Sequence, residues 1–572
     1  MGGEAMSEKD GKSVMSPQFS QENQSEKGIN QSQNKKIEKK KGSFFSGVAV
    51  LTLSTLIVKL IGVLYKIPLF KYLGEEGMGY FNSAYEIYAF FYMIATAGLP
   101  VAISILVSEN LEKGKIANVK KVYSVSLILF LILGLSGTAF LYFGADWLGN
   151  LIENSGAVLC IAAIAPMALF TCVSSAVRGF FQGYQNMVPT AVSQIIEAAG
   201  KLGLGLVLAV FAIKEGYALP YVAAFATGGV AIGVGLSMLY LLLAKFFGKE
   251  RKRAITPTAE LPEKSGTILA KLVKIAVPIT ISSTVISLTR LIDLFMILRR
   301  LQEIGYTEEA ANAIYGSYST LAVSMFNLPS AFVTPIALAL VPVLTAALSS
   351  SDRYKEKNTL NASLRLCALI TLPASLGLSL FSDPILSLVF HGETSAIRTA
   401  APLLSVLALS VFFSCLMTVT NAILQAYGKE QKPILSMAIG AGVKTVVAYV
   451  LIGLPAVHIY GAPISTFVCV LTVSVINMGY IKKCTGSLES IATLFTRPLI
   501  AAAVSVGAGG GIYFLLRRWR GESSGLTLLT IAVTAVLYGL SALKIHAVGE
   551  ADLLLLPQGE KLCKLLRKIR LI

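Results

Sequence analysis

Long apolar segments recur along most of this 572-residue chain and constrain its fold more than any other feature. About 14 of them approach the length of about 20 residues that an α-helix needs to cross a bilayer. The segments are continuous rather than alternating in polarity, which argues against a membrane β-barrel. The sequence therefore predicts an all-α integral membrane protein. The predicted spans are 44–70, 80–108, 122–145, 157–178, 189–213, 220–244, 272–298, 314–348, 362–382, 399–423, 434–454, 461–480, 498–516 and 525–543.

Charge is scarce and unevenly placed. Only 14% of the residues are charged, against about 25% in soluble domains. If the N-terminus is cytosolic, roughly 33 Lys and Arg fall on the cytosolic side and about 9 outside. This bias predicts cytosolic N- and C-termini in a multi-pass protein. It also attributes the net charge of +17 to membrane topology rather than to nucleic-acid binding.

The chain contains an internal repeat. The segment from Tyr80 to Pro100 resembles the segment from Tyr315 to Pro335, and Lys201 and Lys444 fall at matching places in two later spans. Two copies of a six-helix unit predict two pseudo-symmetric lobes around a central site, followed by two extra helices. The predicted divisions are a disordered cytosolic tail (1–42), a first lobe (43–248), a cytosolic linker (249–270), a second lobe (271–483), the last two helices (484–545) and a basic amphipathic cytosolic tail (546–572).

Four cations lie well inside predicted spans: Lys59, Lys201, Arg290 and Lys444. An ionised group at the centre of a bilayer costs at least about 2.5–3.5 kcal/mol, so such residues usually face the protein interior or water. One interpretation is that they form structural ion pairs or snorkel to the interface. The other is that they line a central substrate-binding cavity. That cavity would suit an anion, and the phosphate or pyrophosphate of a lipid carrier is the anion available in a membrane.

Three acids, Asp293, Glu86 and Glu197, are candidates for ion coupling or for counter-ions. Asp293 is spaced to pair with Arg290, and Glu197 with Lys201, along one helix face. Any coupling ion, Na⁺ or H⁺, stays unassigned.

Other polar residues support weaker predictions. Glu86 and Gln194 are expected to line the same cavity. Arg178, at the end of the fourth span, is interpreted as a topological charge, and Lys66 as an interface residue.

The sequence carries no signature of catalysis or of a cofactor. It lacks the phosphate-binding loop GxxxxGK[ST] and the nucleophile motif GxSxG. The seven cysteines form no CxxC pair, and the three histidines lie far apart, so no metal site is predicted. The chain is predicted to be a transporter rather than an enzyme, driven by an ion gradient, the membrane potential or the substrate gradient.

The stretch 57–109 carries a set of short motifs. They are Lys59-Leu60-Ile61-Gly62, Lys66-Ile67-Pro68, Leu73-Gly74-Glu75-Glu76-Gly77, Ala97-Gly98-Leu99-Pro100-Val101-Ala102-Ile103-Ser104 and Val107-Ser108-Glu109. With these motifs, the stretch resembles the opening of the polysaccharide-biosynthesis branch of the multidrug/oligosaccharidyl-lipid/polysaccharide (MOP) exporter superfamily. The nearest resemblance is to the stage V sporulation protein B type, a branch related to the MurJ flippases of lipid II.

This resemblance implies a MATE/MurJ-like fold whose lobes rock around a cationic cavity. It implies that an undecaprenyl-pyrophosphate-linked saccharide, lipid II or another wall or spore precursor, crosses the cytoplasmic membrane of a bacterium. The implied partners are this lipid-linked oligosaccharide, membrane lipids and cell-wall synthesis proteins. Lys59 and Arg290 match basic positions of the family. Ser324 and Asn327 depart from it, because the MurJ branch carries charges just before the Leu-Pro-Ser of helix eight.

Two alternatives remain open. An ion-coupled multidrug or small-molecule exporter of the same superfamily would need an acid-lined cavity that selects organic cations. A non-transporting membrane scaffold for wall or spore-coat synthesis would not need the buried cations at all.

Overall fold

A computed structural model describes the backbone of residues 17–248, 262–350, 352–486, 491–545 and 547. All regular secondary structure in these ranges is helical, which confirms the predicted all-α class. Short 3₁₀ turns at Ser155–Ala157 and His458–Tyr460 and a π-helical turn at Tyr318–Ala322 connect longer helices. The helices are α1 (Pro17–Thr96), α2 (Gly98–Glu112), α3 (Ile116–Phe143), α4 (Ala145–Leu151), α5 (Val158–Ile164), α6 (Pro166–Gly183), α7 (Val188–Lys214), α8 (Leu219–Phe247), α9 (Ser265–Glu303), α10 (Glu308–Ser317), α11 (Val323–Ser349), α12 (Arg353–Leu380), α13 (Ser382–Val389), α14 (Thr394–Ala408), α15 (Ser410–Ala426), α16 (Gln431–Ile452), α17 (Gly461–Thr485), α18 (Ile491–Arg520) and α19 (Ser524–Lys544).

Every predicted span has a helical counterpart. In the described ranges, 12 helices are long and apolar enough to cross a membrane, or up to 13 if α14 and α15, bent by 47°, form one span. One of the twelve, Leu60–Glu112, contains the end of the first predicted span and the whole of the second. They meet at Gly74, whose φ of 64° and ψ of −168° break α1. Only glycine adopts this conformation readily, so the sequence places the bend there.

Helices extend into the predicted tail before the first lobe and into the predicted linker after it. Helix α1 begins at Pro17, so residues 17–42, predicted to be a disordered tail, are helical. Glu, Gln and Lys are good helix formers, and a helix that continues an existing one needs no new nucleus. Helix α9 begins at Ser265, inside the predicted linker. Residues 1–16, 249–261, 546 and 548–572, including most of the predicted C-terminal tail, lie outside the described residues.

Large apolar side chains remain exposed around the helix bundle. Val207, Val446, Val475, Phe514 and Val536 each expose more than half of their surface. On a soluble protein, a contiguous apolar surface of this kind would promote aggregation. In a bilayer it faces lipid tails, while helices satisfy their own backbone hydrogen bonds. The chain is therefore a multi-pass membrane protein.

The two repeat segments pack against each other where the second segment of α1 (residues 75–96) crosses α10. A side chain at Gly79 would collide with Asn312, and one at Gly316 would collide with the carbonyl of Glu75. Small residues of this kind let membrane helices approach backbone to backbone. The Asn312 amide also donates to the Glu76 carbonyl at 2.7 Å. The two halves of the chain are thus in direct contact at this end.

Further polar bonds reinforce this end of the molecule. Asn154 donates to the side-chain oxygen of Asn312 at 2.8 Å. The Ser155 hydroxyl donates to the Glu308 carboxylate at 2.7 Å. The Gln302 amide donates to a backbone carbonyl of the 153–155 turn at 2.7 Å. These bonds close the bundle beside residues 75–83, which lie on the outer side in the predicted topology.

Candidate functional site

A cavity of about 560 Å³ lies between the two halves of the bundle. Both segments of α1 line it, together with α7, α9 and α11 and one residue of α8. Its polar and charged lining residues are Thr55, Lys66, Asn82, Gln194, Glu197, Lys201, Arg290, Ser324, Asn327 and Ser330. Gln194 therefore lies where the sequence predicted it.

A second, smaller cavity of about 170 Å³ lies among α9, α11, α15, α16 and α17. Asp293, Lys444 and Thr466 are among its polar lining residues. Arg290 and Asn327 line both cavities. These two residues therefore stand at the junction of the larger and the smaller space.

Lys201 belongs to a buried network on α6, α7 and α8 in which two cations share the carboxylate of Glu197. Its ammonium donates to Glu197 Oε1 at 2.8 Å, and Arg178 Nη2 donates to Glu197 Oε2 at 3.0 Å. Arg178 also donates to the hydroxyls of Ser193 and Ser237, at 3.0 and 3.2 Å. The interpretation of Arg178 as a topological charge is wrong, because its side chain is only 7% exposed. It shares one carboxylate with Lys201.

Lys444 is neutralised by an acid from another helix. Its ammonium donates to Asp293 Oδ2 at 2.7 Å, and the lysine side chain is only 5% exposed. The expected pairing of Asp293 with Arg290 is wrong. Lys444 reaches the carboxylate from α16. The spacing of residues along α9 could not predict this contact, because Lys444 is 151 residues away in the chain.

Lys66 and Arg290 are the lining cations of the larger cavity that lack a carboxylate partner among the described residues. The Lys66 ammonium donates to the Ser324 hydroxyl at 3.0 Å. Arg290 is exposed to the cavity. The position of Lys66 corrects its interpretation as an interface residue. The sequence signal that could have found it is a lysine on the second turn beyond Lys59, inside the same apolar helix.

The predicted substrate-binding residues therefore do not all line one cavity. Lys201 and Arg290 line the larger cavity, and Lys444 lines the smaller one. The side chain of Lys59, on α1, lies outside the described residues. Of the three, only Arg290 is a cation without an acid partner in the described structure. The role of all four in binding stays a prediction.

The three predicted acids also separate. Glu197 and Asp293 are counter-ions, each held by a lysine. Glu86 lines neither cavity, and its Oε2 is buried without a hydrogen-bond partner. Across the described residues, no three His, Cys, Asp or Glu side chains come together as metal ligands.

Aromatic residues form the part of the cavity wall that the sequence analysis missed. Phe81, Tyr85 and Tyr92 line the larger cavity from the second segment of α1, and Tyr65 lines it from the first. Aromatic residues at 81, 85, 88 and 92 follow the i, i+4, i+7, i+11 spacing of one helix face. This spacing was visible in the sequence.

A bundle of membrane-length helices around internal charged cavities defines the chain as a membrane transporter. Family comparison agrees with this class. The model of the polysaccharide biosynthesis protein family matches residues 44–348, and the MatE model matches residues 316–450. The chain belongs to the polysaccharide biosynthesis protein family, and it is a flippase-type transporter of the MOP superfamily.

Individual relatives support the same assignment. The chain is 26% identical over 444 residues to Stage V sporulation protein B of Bacillus subtilis (strain 168), covering 77% of this chain and 84% of that protein. It is 28% identical over 433 residues to Lipid II flippase MurJ of the same organism, covering 71% and 77%. A solved structure of Lipid II flippase MurJ in an inward closed conformation matches with a TM-score of 0.65 at 14% identity, covering 86% of this chain and 98% of that one. The predicted fold and family resemblance are confirmed.

Proposed function

We propose that this chain is a flippase for a pyrophosphate-linked saccharide lipid in a bacterial cytoplasmic membrane. The carrier is undecaprenyl pyrophosphate, and the saccharide belongs to lipid II or to another wall or spore precursor. The observation that carries the proposal is a pair of cations, Lys66 and Arg290, that line a cavity between the two halves and form no salt bridge within the described residues. Alternating access would expose that cavity to each side of the membrane in turn.

The surroundings of these cations suit a phosphate group. Lys66 and Arg290 can donate to phosphate oxygens, and Ser324 and Asn327 supply neutral donors beside them. Charge-assisted hydrogen bonds of this kind are among the strongest that proteins make. They gain strength where the surrounding wall is apolar and water is scarce.

The exporter alternative is less well supported by the same geometry. A site for organic cations needs a carboxylate that is not already paired. In the two cavities, Glu197 is bound by Lys201 and Arg178, and Asp293 by Lys444. Among the three acids nominated from the sequence, Glu86 has no ion pair in the described structure. It is the acid left for coupling to Na⁺ or H⁺.

Removal of either free cation is expected to stop headgroup transfer. Full-length protein is reconstituted in vesicles with a fluorescent undecaprenyl-pyrophosphate sugar, and an external quencher reports which leaflet holds the label. Lys66→Met and Arg290→Gln should each slow transfer about tenfold or more at low substrate concentration, because a hydrogen bond to a charged group contributes about 1.5–3 kcal/mol to headgroup binding. Lys214→Met, at the exposed end of α7, removes a cation outside the cavity and should leave transfer unchanged.

Three outcomes are informative. Transfer by wild type that both cavity variants abolish supports the proposal. If both variants transfer the label at the wild-type rate, the proposed phosphate site at Lys66 and Arg290 is wrong, while the proposed flippase activity still holds. Absence of transfer by wild type, together with export of an organic cation from the same vesicles, favours the exporter instead.

A further inference from the structure

One wall of the larger cavity is aromatic and rigid. Phe81 and Tyr85 lie nearly parallel, with ring centroids 6.1 Å apart and an interplanar angle of 13°. Tyr65 packs edge-on against Phe81 at 6.2 Å. Tyr88, between Tyr85 and Tyr92 on the same helix face, is fully buried and shares a 2.6 Å hydrogen bond with Thr171. This bond to α6 holds the helix face in a fixed rotation toward the cavity.

Polar groups of α7 stand beside the aromatic wall. Gln194, Glu197 and Lys201 line the same cavity, and the Lys201 ammonium lies 5.9 Å from the centroid of the Tyr85 ring. Glu197 is held by two cations, so this end of the cavity offers hydrogen-bonding groups without an unpaired carboxylate. Two cations around one carboxylate leave this end net positive, which disfavours an organic cation. Its donors and acceptors can serve the hydroxyl groups of a neutral ligand.

The aromatic end is continuous with the cationic end. Lys66 follows Tyr65 in α1, and Asn82 follows Phe81, and all four residues line the cavity. A ligand that fills this cavity can therefore reach Lys66 with a charged group and contact Tyr85 with another part. The cavity has two chemically different ends in one space.

We propose that the aromatic end is a saccharide subsite. This inference rests on the proposed function, in which the phosphates bind at Lys66 and Arg290. A sugar ring has an apolar C–H face, and the π face of an aromatic ring carries partial negative charge that attracts it. The ring stacks on Tyr85 and Tyr92, which are partly exposed, while Phe81 is buried and supports the Tyr85 ring. Its hydroxyl or acetamido groups exchange hydrogen bonds with the polar side chains of α7.

An organic cation would be the other ligand of an aromatic wall, through cation–π attraction. The Lys201 ammonium already lies near Tyr85 and carries a positive charge. A second cation at this wall would be repelled by Lys201 and would find Glu197 already paired. The geometry therefore favours the uncharged sugar.

Binding measurements on full-length protein in lipid nanodiscs test the subsite. The probes are farnesyl pyrophosphate, the same pyrophosphate linked to N-acetylglucosamine, and tetraphenylphosphonium. In Tyr85→Leu, affinity for the sugar-bearing probe should fall about fivefold or more, as expected for loss of one stacking ring. Affinity for the sugar-free pyrophosphate should stay within about twofold of wild type, because Lys66 and Arg290 are unchanged. Tyr221→Leu, an exposed aromatic outside the cavity, should change neither value. Tyr92→Leu is a second cavity variant in case Tyr85→Leu does not fold.

The outcomes separate this inference from the proposed function. Equal weakening of both pyrophosphate probes by Tyr85→Leu and Tyr92→Leu, or no effect on either, overturns the saccharide subsite and leaves the phosphate site standing. If wild type binds neither pyrophosphate probe, the proposed function fails as well. Binding of tetraphenylphosphonium that depends on Tyr85 overturns the sugar assignment in favour of a cation.

Discussion

Glu197→Ala is expected to destabilise the protein more than any substitution of an exposed charge. The change leaves Arg178 and Lys201 facing each other in a buried space, without the carboxylate that neutralises both. Removal of one partner from a buried ion pair costs about 3–5 kcal/mol, because the remaining charge stays desolvated. The midpoint of thermal unfolding of the purified protein in detergent should therefore fall clearly below that of wild type.

Glu109→Ala is the matched control for this experiment. Glu109 also forms an ion pair with a lysine four residues away, but both side chains are about half exposed. Exposed pairs contribute about 0–1 kcal/mol, so this variant should unfold close to wild type. Replacement of all three buried residues, Arg178, Glu197 and Lys201, by leucine should recover part of the lost stability, since no charge is then left buried. Equal unfolding midpoints for Glu197→Ala and Glu109→Ala would contradict the buried network.

Gly316→Val is expected to separate the two halves of the bundle at the crossing of α1 and α10. A valine side chain would collide with the backbone of Glu75 and Gly79, which belongs to a packed helix and has no rotamer with which to move aside. Spin labels at Leu151 and Glu309, exposed positions on the two sides of this contact, should then show a longer distance component than in wild type. Headgroup transfer should slow at the same time, because the proposed alternating access requires closure at this end.

Gly507→Val controls for the effect of valine in a helix. Gly507 lies inside α18, and a side chain there meets open space. This variant should keep the wild-type distance distribution and transfer rate. An unchanged distance between Leu151 and Glu309 in Gly316→Val would show that the crossing tolerates a side chain and does not control closure.

The repeat places a lysine at matching positions in both halves, and the structure neutralises both lysines in different ways. Lys201 uses Glu197, one turn earlier on its own helix. Lys444 uses Asp293 on α9, 151 residues away in the chain. A buried ammonium needs a counter-charge in either case, because a bare ion in an apolar interior costs several kcal/mol. In each half, the counter-charge comes from the carboxylate that the local packing places next to the lysine.

Hydropathy and repeat comparison of the sequence were enough to predict much of this protein. They identified the membrane helices, because about 20 apolar residues in a row are a local property of the chain. They also separated the first two spans between residues 70 and 80, where Gly74 breaks α1, and identified the pairing of Glu197 with Lys201, which depends only on helix geometry. The family resemblance came from a short motif region, 57–109, and needed no tertiary information.

Only the tertiary structure decided which of the intramembrane cations are free. Lys66 and Arg178 both depart from their predicted roles as an interface residue and a topological charge, because Lys66 faces the central cavity and Arg178 faces the interior of the first half. Asp293 forms its ion pair with Lys444 and not, as the sequence had predicted, with Arg290. These assignments depend on how each helix is rotated about its axis and how far it is shifted against its neighbours. Rotation and shift are set by packing between helices, and apolar membrane segments carry little of that information in their one-dimensional pattern.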